Sequence, residues 1–434
     1  MSNTSEKGVI MSHNKHSVTL DIEKCKGCTN CIKRCPTEAI RVRDGHAVIK
    51  EDLCIDCGEC IRVCPYQAKK ATYDKFEDFS HYSYKIALPA PAFYGQFEDL
   101  DDVDEVLTAL LRCGFDAVFE VSRAAELVTE YTRRYMKQEG LEKPVISSAC
   151  PAIVRLISLR FPYLKDNLLP LLPPIEYAAR LARAEAKEKN PHLRDEDICV
   201  LFISPCPAKV SYVRNPLGVE KSAVTGTLAI NDFYFRVRSK RKEVDTPLPL
   251  SQTGIIGLNW AGSGGESTSL LSDKYLAADG IENCIHILDE IENGTMHNLE
   301  FVELNACIGG CVGGALNVEN PFIAKARLRS LRKYLPISRN HASEQDGQIP
   351  DDLFLTSDLT MEVPSKLSEN RLTAIAKMSE IEEIYRTLPN LDCGSCGAPS
   401  CHALAEDIVK GDACKGDCLI QLRKHFEKKD PDAE

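Results

Sequence analysis

The segment Cys25-Lys-Gly-Cys-Thr-Asn-Cys-Ile-Lys-Arg-Cys-Pro36 returns with the same cysteine spacing as Cys54-Ile-Asp-Cys-Gly-Glu-Cys-Ile-Arg-Val-Cys-Pro65. Each run has the form C-x2-C-x2-C-x3-C-P. Short spacing of this kind curls backbone amides around a small centre and presents soft thiolates, which suit iron. Zinc is the alternative, but zinc prefers two separated cysteine pairs, so four cysteines per run with a trailing proline match it poorly. The two runs therefore predict two iron–sulfur centres.

These runs resemble those of bacterial two-cluster ferredoxins, in which the fourth cysteine of each run binds the cluster of the other run. The resemblance implies one [4Fe–4S] cluster held by Cys25, Cys28, Cys31 and Cys64. It implies a second cluster held by Cys54, Cys57, Cys60 and Cys35. Between the runs, residues 39–52 alternate apolar and charged side chains around Asp44-Gly45, which predicts a small β-hairpin. Two clusters this close together predict electron transfer, without indicating to or from what.

Length and composition limit the class of protein. A chain of 434 residues suggests about three domains at roughly 150 residues each. Apolar residues are 44% and charged residues 27%, which excludes global disorder. The net charge of −11 argues against nucleic acid or an anionic membrane as the main partner. The sequence has no apolar run of about 18 residues and no signal-peptide core, so we expect a soluble, cytoplasmic protein with no nucleic-acid or membrane partner.

Twenty cysteines are the unusual feature, and thirteen of them lie in two dense blocks near the ends. In a reducing cytosol, clustered thiols are more often metal ligands than disulfides. The second block resembles a small iron–sulfur domain found in corrinoid proteins and in some electron-transfer subunits. That resemblance implies a third [4Fe–4S] cluster and places its last ligand at Cys418 rather than Cys414, with zinc as the alternative. The implied ligands are Cys393, Cys396, Cys401 and Cys418.

From Tyr84 onward, short apolar strands alternate with amphipathic helices, which predicts an α/β fold with largely parallel sheets. Three predicted strands run directly into a turn that carries cysteine. Because ligands bind beyond the carboxyl ends of strands in open α/β sheets, we expect these cysteines to converge on one buried cofactor. Taken singly, each is more often an inert buried thiol. The predicted strands are Lys85–Leu88, Ala117–Val121, Pro144–Ile146, Ile198–Ile203 and Phe301–Leu304, the predicted helices Asp102–Cys113 and Ile175–Lys189, and the converging cysteines Cys150, Cys206, Cys307 and Cys311.

The three turns, Ser147-Ser-Ala-Cys150-Pro, Ser204-Pro-Cys206-Pro-Ala-Lys209 and Asn305-Ala-Cys307-Ile-Gly-Gly-Cys311, resemble the three signature motifs of [FeFe]-hydrogenases in order and separation. The resemblance covers roughly residues 18–340 and includes the ferredoxin-like part. It implies an H-cluster, in which the four cysteines hold a [4Fe–4S] cube and Cys311 also bridges to a two-iron centre carrying CO, cyanide and a dithiolate. It also implies that Lys209 hydrogen-bonds a cyanide, that H2 is the substrate and is split heterolytically, and that maturation proteins supply the two-iron centre.

The sequence departs from the fast members of that family at three positions. Ala149 stands where those members carry a second cysteine that relays protons, and a methyl group can neither give nor take a proton. Ser204 and Asn305 stand before two of the ligand turns, where methionines usually flank the centre. Together with the extra C-terminal cluster, these changes resemble the sensory [FeFe]-hydrogenases. The resemblance implies slow turnover and a redox or signalling partner, with neutral drift as the alternative.

Four glutamates are candidate alternative proton relays, although we expect each, taken alone, to lie on a solvated helix face. Two rival functions stay open. One is an ordinary ferredoxin-linked hydrogenase that evolves or takes up H2, and the other is an iron–sulfur scaffold or electron-transfer protein without the two-iron centre. Lys209 and the intact pair of Cys307 and Cys311 argue against the scaffold. The sequence does not predict the oligomeric state. The candidate relays are Glu120, Glu126, Glu130 and Glu266, and Cys113, Cys199 and Cys284 are expected to be core thiols.

These observations divide the chain into five predicted parts. Residues 1–17 form an extension without a functional clue, and residues 341–367, within a stretch rich in Ser, Asp and Pro, form an interdomain linker. The folded parts are a two-cluster α+β ferredoxin-like domain (18–80), a central α/β H-cluster domain of two lobes (81–340), and a helix with a small helical [4Fe–4S] domain (368–434), the helix being predicted over Ser368–Thr387.

Overall fold

A computed structural model describes residues 16–342, 347–359, 367–368 and 370–429 of the chain. Most of the predicted extension at residues 1–17 therefore lies outside the described residues, as do residues 343–346 and 360–366 of the predicted linker. Among the described helices, none is both long enough and apolar enough to cross a bilayer.

The N-terminal part is a small α+β unit built around the two cysteine runs. β1 pairs antiparallel with β4, and β2 pairs antiparallel with β3, so that Ile40 lies opposite Ile49. The hairpin predicted around Asp44-Gly45 is therefore present as β2–β3. Each short helix carries one cysteine of its run, which brings the run close to the small apolar core. The elements are β1 (Val18–Leu20), α1 (Asn30–Lys33), β2 (Ile40–Arg43), β3 (His46–Ile49), α2 (Glu59–Arg62) and β4 (Lys69–Ala71).

Two parallel sheets form the central part, which confirms the predicted α/β class. The strands are β5 (Tyr84–Pro89), β6 (Ala117–Val118), β7 (Val145–Ile146), β8 (Ile198–Ser204), β9 (Gly226–Ala229), β10 (Tyr275–Asp279) and β11 (Phe301–Asn305). The first sheet has the order β6-β5-β8-β9 and the second β10-β11-β7, and every pairing within them is parallel. β8 is buried at every residue, as expected for an interior strand covered on both faces.

Helices cover both faces of the first sheet, with α4 and α9 packed together in one layer and α5 and α7 in another. One apolar core spans both sheets and includes Leu88, Phe202, Ile146 and Val302. The helices are α3 (Pro91–Tyr94), α4 (Val103–Arg112), α5 (Val121–Tyr135), α6 (Pro151–Arg160), α7 (Pro174–Lys189), α8 (Pro207–Arg214), α9 (Ile230–Arg241), α10 (Ile255–Asn259), α11 (Gly265–Thr268), α12 (Ile281–Glu292) and α13 (Pro321–Leu331).

The C-terminal part is helical and has its own small core, which includes Ile381, Ile384 and Leu404. The helix predicted from Ser368 begins instead at Arg371, because the Asn370 side chain accepts hydrogen bonds from the first turn and caps it. The elements are α14 (Arg371–Thr387), α15 (Cys401–Lys410) and α16 (Leu419–Lys429).

The predicted linker needs a correction over residues 347–359. Leu353 is completely buried in the central core, and the Leu172 amide donates a 2.8 Å hydrogen bond to its carbonyl. Phe354 forms a bridge with Leu171. This stretch therefore packs as part of the central fold. The stretch is rich in Ser, Asp and Pro and so resembles a linker in sequence, but a few apolar residues pack it against the central core.

Candidate metal centre

Three hollows of nearly equal size are each lined by four cysteines. Their volumes are about 340, 350 and 330 Å³, counted with the space that is open to solvent. Cys414 is exposed and does not line the C-terminal hollow. The first hollow has Cys25, Cys28, Cys31 and Cys64, the second has Cys35, Cys54, Cys57 and Cys60, and the C-terminal hollow has Cys393, Cys396, Cys401 and Cys418. The groupings coincide with the predicted ligand sets, whose role as ligands stays a prediction.

The surroundings of the first two hollows fit a negatively charged, thiolate-bound group. The Ala68 amide donates to the Cys64 sulfur at 3.2 Å, and the Ala39 amide donates to the Cys35 sulfur at 3.2 Å. Lys69 lines the first hollow and is buried, yet its ammonium has no hydrogen-bond partner among the residues the structure describes. Because a buried cation without a counter-charge is costly, this arrangement favours an anionic occupant.

Strand ends deliver the cysteines of the central part in a repeated way. Cys150, which follows β7, and Cys206, which follows β8, each occupy the cap position before a helix, α6 and α8. A proline follows each of them at the first helical position, where no N–H is needed. A helix N-terminus carries partial positive charge, which stabilises a thiolate at that position.

The third turn, after β11, bends tightly between Cys307 and Cys311. Gly309 and Gly310 both adopt positive φ, at 84° and 85°, and a Cβ on Gly310 would lie 2.4 Å from the Ser263 amide nitrogen. That amide donates a 3.1 Å hydrogen bond to the Gly309 carbonyl. The loop at residues 261–265 therefore supports the cysteine turn from behind, and only glycine fits at the contact.

The four cysteines of the central part, at positions 150, 206, 307 and 311, lie close together. Burial raises the pKa of the Cys206 thiol to about 12, with Lys209 opposing this effect and Cys307, Cys311 and Cys150 adding to it as nearby negative charges. Cys206 and Cys307 are buried, whereas Cys150 and Cys311 line a cavity of about 690 Å³. This central cavity is roughly twice as large as each of the three hollows. The site therefore has room for a group beside the one that the four sulfurs could hold.

Lys209 supplies a fixed positive charge to this cavity. It lies in the first turn of α8, and its ammonium donates to the Cys311 sulfur at 3.5 Å. Burial alone would lower the pKa of Lys209, but the thiolates of Cys311, Cys206 and Cys150 outweigh burial and raise that pKa. The ammonium thus stays charged and faces the sulfur that borders the cavity.

Comparison with protein families assigns the central part of the chain. Residues 83–227 and 263–315 match the model for the iron only hydrogenase large subunit, C-terminal domain. The central part belongs to the [FeFe]-hydrogenase family. Residues 17–72 match the model for a 4Fe-4S dicluster domain, and residues 388–420 match a model for an Fe–S cluster domain. The chain is a hydrogenase-like iron–sulfur protein.

Similar individual proteins were also found. An uncharacterized protein of Methanocaldococcus jannaschii, MJ0119, is 36% identical over 53 residues, which are 12% of this chain and 24% of that protein. Among solved structures, a variant of [FeFe]-hydrogenase HydA1 from Chlamydomonas reinhardtii is 18% identical, covers 60% of this chain and 87% of its own, and has a TM-score of 0.44. The apo form of another HydA1 variant is 17% identical over 63% and 90%, with a TM-score of 0.43. The family assignment rests on the family model and not on these structures.

Ala149, Ser204 and Asn305, the three departures noted in the sequence, play different parts in the structure. Ala149 and Asn305 both line the central cavity. Ser204 is fully buried and does not line the cavity, and its hydroxyl donates a 2.9 Å hydrogen bond to the Cys206 carbonyl. Ser204 therefore shapes the turn that carries Cys206, whereas Asn305 is polar at the cavity wall and donates to Glu303 at 2.9 Å.

Glu266 is a buried carboxyl group at the cavity wall. The Ser147 hydroxyl donates to its Oε2 at 2.6 Å, and its Oε1 has no hydrogen-bond partner in the described part of the chain. Burial first, and the charge of Glu303 second, raise the pKa of Glu266 to about 8. Glu303 accepts hydrogen bonds from the Gly264 and Ser267 amides. Glu266 is therefore the carboxyl of this pair that holds a proton near neutral pH.

The expectation that the candidate relays lie on solvated faces is wrong for Glu120, Glu126 and Glu266, which are all buried. Glu120 accepts from the Tyr94 hydroxyl at 3.1 Å, and burial raises its pKa to about 7. Glu126 accepts from the Gly254 amide at 2.6 Å. Backbone amides and hydroxyls that only the folded chain brings together make this burial possible. Of the four candidates, only Glu266 lines the central cavity.

Arg62 is a residue that no sequence pattern identified. It ends α2 and donates a 2.7 Å hydrogen bond to the Gly313 carbonyl, and its charge lies near both Cys307 and Cys57. The positive charge of the guanidinium opposes the rise that burial causes in the pKa of the Cys307 thiol. A Cβ on the neighbouring Gly58, which lines the second hollow, would lie 2.9 Å from the Ala315 side chain. The second hollow thus borders the central site, with a cation at the junction.

Asp56, which lies between two cysteines of the second hollow, was also missed. It is buried and accepts hydrogen bonds from the Val18 amide at 2.9 Å and the Ser211 hydroxyl at 2.7 Å. His16 Nδ1 lies 2.7 Å from it. Asp56 therefore joins the start of β1 to α8 of the central part, and Ser211 lies two residues from Lys209.

Proposed function

We propose that this chain binds H2 at the central site, splits it slowly, and passes the electrons to three [4Fe–4S] clusters as a sensor of H2. One observation carries the proposal. Four cysteines and Lys209 meet beside a large cavity, and the wall of this cavity presents Ala149 where a fast enzyme needs a proton-carrying thiol. The family assignment supports H2 as the substrate, and Ala149 at the cavity wall supports a low rate of H2 turnover.

The donor set fits the H-cluster. Cys150, Cys206, Cys307 and Cys311 would hold its cube, and Cys311 faces the cavity in which the two-iron centre would lie. The ammonium of Lys209, close to Cys311, would hydrogen-bond an anionic ligand of that centre. When bound, this group supplies the site at which H2 is split heterolytically. The cavity wall includes the apolar residues Val121, Ile175 and Phe202. Because such residues exclude water, they strengthen the electrostatic contact between Lys209 and a bound anionic ligand.

Proton transfer from the cavity falls to Glu266 in this proposal. Ala149 carries no exchangeable proton on its side chain. Glu266 lines the same cavity, holds a proton near neutral pH, and is hydrogen-bonded to Ser147, three residues before Cys150. A single buried carboxyl in place of a thiol next to the ligand changes the route, and we expect slower turnover as the result.

Electron transfer follows the contact between the central site and the second hollow. Splitting one H2 yields two protons and two electrons, and [4Fe–4S] clusters accept electrons singly. At this junction Gly58 closely approaches Ala315, and Arg62 lies near both Cys57 and Cys307. The junction is therefore the most direct route for electrons from the central site to the second cluster. A redox or signalling partner protein would then read the state of the clusters, and maturation proteins would supply the two-iron centre.

Two rival functions make different demands on the same site. An ordinary ferredoxin-linked hydrogenase needs an efficient proton route, and the buried Glu266 is the observation that favours it. A scaffold without the two-iron centre needs no space beside its cube, so the cavity of about 690 Å³ argues against it.

Infrared spectroscopy of the matured protein tests the proposal, because CO and cyanide bound to iron give bands in a region free of protein absorption. We expect these bands in the wild-type chain and in the control Cys113→Ser, which alters a buried core thiol away from the four cysteines. They should vanish in Cys311→Ser. A matured wild-type protein with a full complement of cluster iron but no such bands would support the scaffold instead. An H2-evolution rate equal to that of a fast family member would contradict the slow sensor.

A further inference from the structure

A single buried aspartate joins the C-terminal part to the ferredoxin-like part. Asp407, on α15, has no solvent exposure. Its Oδ2 accepts from Arg41 Nε at 2.6 Å and from Arg43 Nη2 at 2.7 Å, and its Oδ1 accepts from Lys50 Nζ at 2.7 Å. All three cations lie on or directly after the hairpin β2–β3.

This ion cluster is built to stay ionised. Burial opposes ionisation of Asp407, but the hydrogen bonds from Arg41 and Lys50 outweigh burial and hold the pKa of Asp407 below its ordinary value. Isolated surface ion pairs contribute little to stability, whereas several charge-assisted bonds to one buried carboxylate fix its orientation. The Asp407 cluster therefore sets how the two parts sit against each other.

Backbone contacts beside Asp407 bring two cysteine hollows together. The Val42 amide donates to the Gly397 carbonyl at 2.8 Å, and a Cβ on Gly397 would lie only 2.1 Å from the Val42 carbonyl oxygen. Arg43 donates to the Cys396 carbonyl at 3.2 Å. Val42 lines the first hollow, and Cys396 lines the C-terminal hollow. The walls of the two hollows are therefore in direct contact at these hydrogen bonds.

The same kind of contact exists at the other end of the ferredoxin-like part. Gly58 lines the second hollow and approaches Ala315, and it also lies against Pro207, the neighbour of Cys206. The first and second hollows lie within one small unit, since each is completed by a cysteine from the opposite run. The four cysteine sites therefore follow one another in the order C-terminal, first, second, central.

We propose that the C-terminal hollow is the outer end of one electron path, and that Asp407 is the positioning residue that holds its cluster within electron-transfer reach of the first cluster. The inference rests on the proposed clusters but not on H2 chemistry at the central site. It places exchange of electrons with a partner protein at the C-terminal part, whereas the ferredoxin-like part relays electrons internally.

Electron paramagnetic resonance of the full cluster-loaded chain, reduced with dithionite, tests this arrangement. Two reduced clusters held at short distance show a magnetic interaction, and Cys396→Ser, which removes a ligand of the C-terminal cluster, identifies the contribution of that cluster. We expect Asp407→Asn to abolish the interaction while iron per chain stays constant. The matched control is Asp412→Asn, because Asp412 is 59% exposed and only 3.9 Å from the same Lys50, and it should keep the interaction.

The outcomes separate the positioning role from alternatives. If the magnetic interaction persists in both Asp407→Asn and Asp407→Lys, the inference is overturned. If Asp407→Asn loses iron, the variant Arg43→Gln replaces it, because it removes one of the three hydrogen bonds to Asp407 from the ferredoxin-like part. Arg43→Gln should weaken the magnetic interaction while iron per chain stays constant. An unchanged magnetic interaction in Arg43→Gln overturns the inference too. Dithionite reduces the clusters without H2, so the readout remains valid in a chain that lacks CO and cyanide bands.

Discussion

The Ser147 hydroxyl donates a 2.6 Å hydrogen bond to Glu266, although the two residues are 119 positions apart in the chain. This contact joins the turn before Cys150 to α11 behind the cysteine loop. It leaves the other Glu266 oxygen at the cavity wall without a partner among residues 16–342, 347–359, 367–368 and 370–429. A carboxyl group in this state is expected to bind a proton at neutral pH.

The protonation of Glu266 predicts a specific pH dependence. Its pKa of about 8 lies above the roughly 4.3 of an unfolded chain, so the folded state binds more protons between those values. Folding stability should therefore fall as pH rises through this window, and Glu266→Gln should make this fall smaller, leaving the contribution of Glu120. Infrared difference spectra should show a carboxylic-acid band that disappears near pH 8 in the wild type. Glu130→Gln is the control and should keep this band. A band that is unchanged in Glu266→Gln, or lost in Glu130→Gln, would contradict the assignment.

Ala149→Cys should raise H2 turnover. A thiol at the cavity wall supplies a proton carrier next to Cys150, and a well-placed acid–base group contributes on the order of 100-fold. The measurement is the rate of H2 evolution per matured site, with sites counted by their infrared bands. Ala152→Cys is the control, because Ala152 is buried in α6 and does not line the cavity. An unchanged rate in fully matured Ala149→Cys would show that proton supply is not limiting.

Arg62→Gln should lower the reduction potential of the central cube. The positive charge of Arg62 near Cys307 stabilises the more negative, reduced state; a stabilisation of about 1.5 kcal/mol is roughly 60 mV for one electron. Redox titration followed by paramagnetic resonance measures the shift. Arg34→Gln serves as the control, since Arg34 is half exposed and pairs with Glu282. Equal potentials in the wild type and Arg62→Gln would rule out an electrostatic role for Arg62.

Asp56→Asn should destabilise the chain by about 2–4 kcal/mol, because buried donors on two parts of the molecule lose their charged acceptor. The Val18 amide and the Ser211 hydroxyl are the donors concerned. Anaerobic denaturation, followed through cluster absorbance, measures the change in unfolding free energy. Asp52→Asn, at an exposed position of the same cysteine region, should change it by less than about 0.5 kcal/mol. Similar changes in unfolding free energy for Asp56→Asn and Asp52→Asn would show that Asp56 does not hold the two parts of the molecule together.

Cysteine spacing, together with the family resemblances that it carries, predicted the groupings found at the four sites. Runs such as Cys54 to Cys64 have local geometry that the chain itself imposes, and strand ends such as β8 before Cys206 lie at the same edge in any parallel sheet. The parallel α/β class followed from the same alternation. The predicted strand over Ala117–Val121 was too long because Val121 begins α5, a boundary that apolar pattern alone does not mark.

Contacts between distant segments could not be predicted. Asp56, Arg62 and Asp407 are charged residues in polar stretches, and their burial depends on partners that lie up to several hundred positions away, as Arg41 does from Asp407. Glu266 is buried for the same reason. Leu353 shows the converse, because one apolar residue in a polar segment was enough to dock that segment into the central core.

Cys150 and Cys206 both sit at the beginning of a helix, so two rows of aligned peptide groups point their positive ends at one spot. Peptide groups do not titrate. Their field on the central site should therefore be the same in acidic and alkaline surroundings, unlike the contribution of any side chain. This part of the field is fixed once the chain has folded, so any response of the central site to acidity must come from side chains such as Glu266.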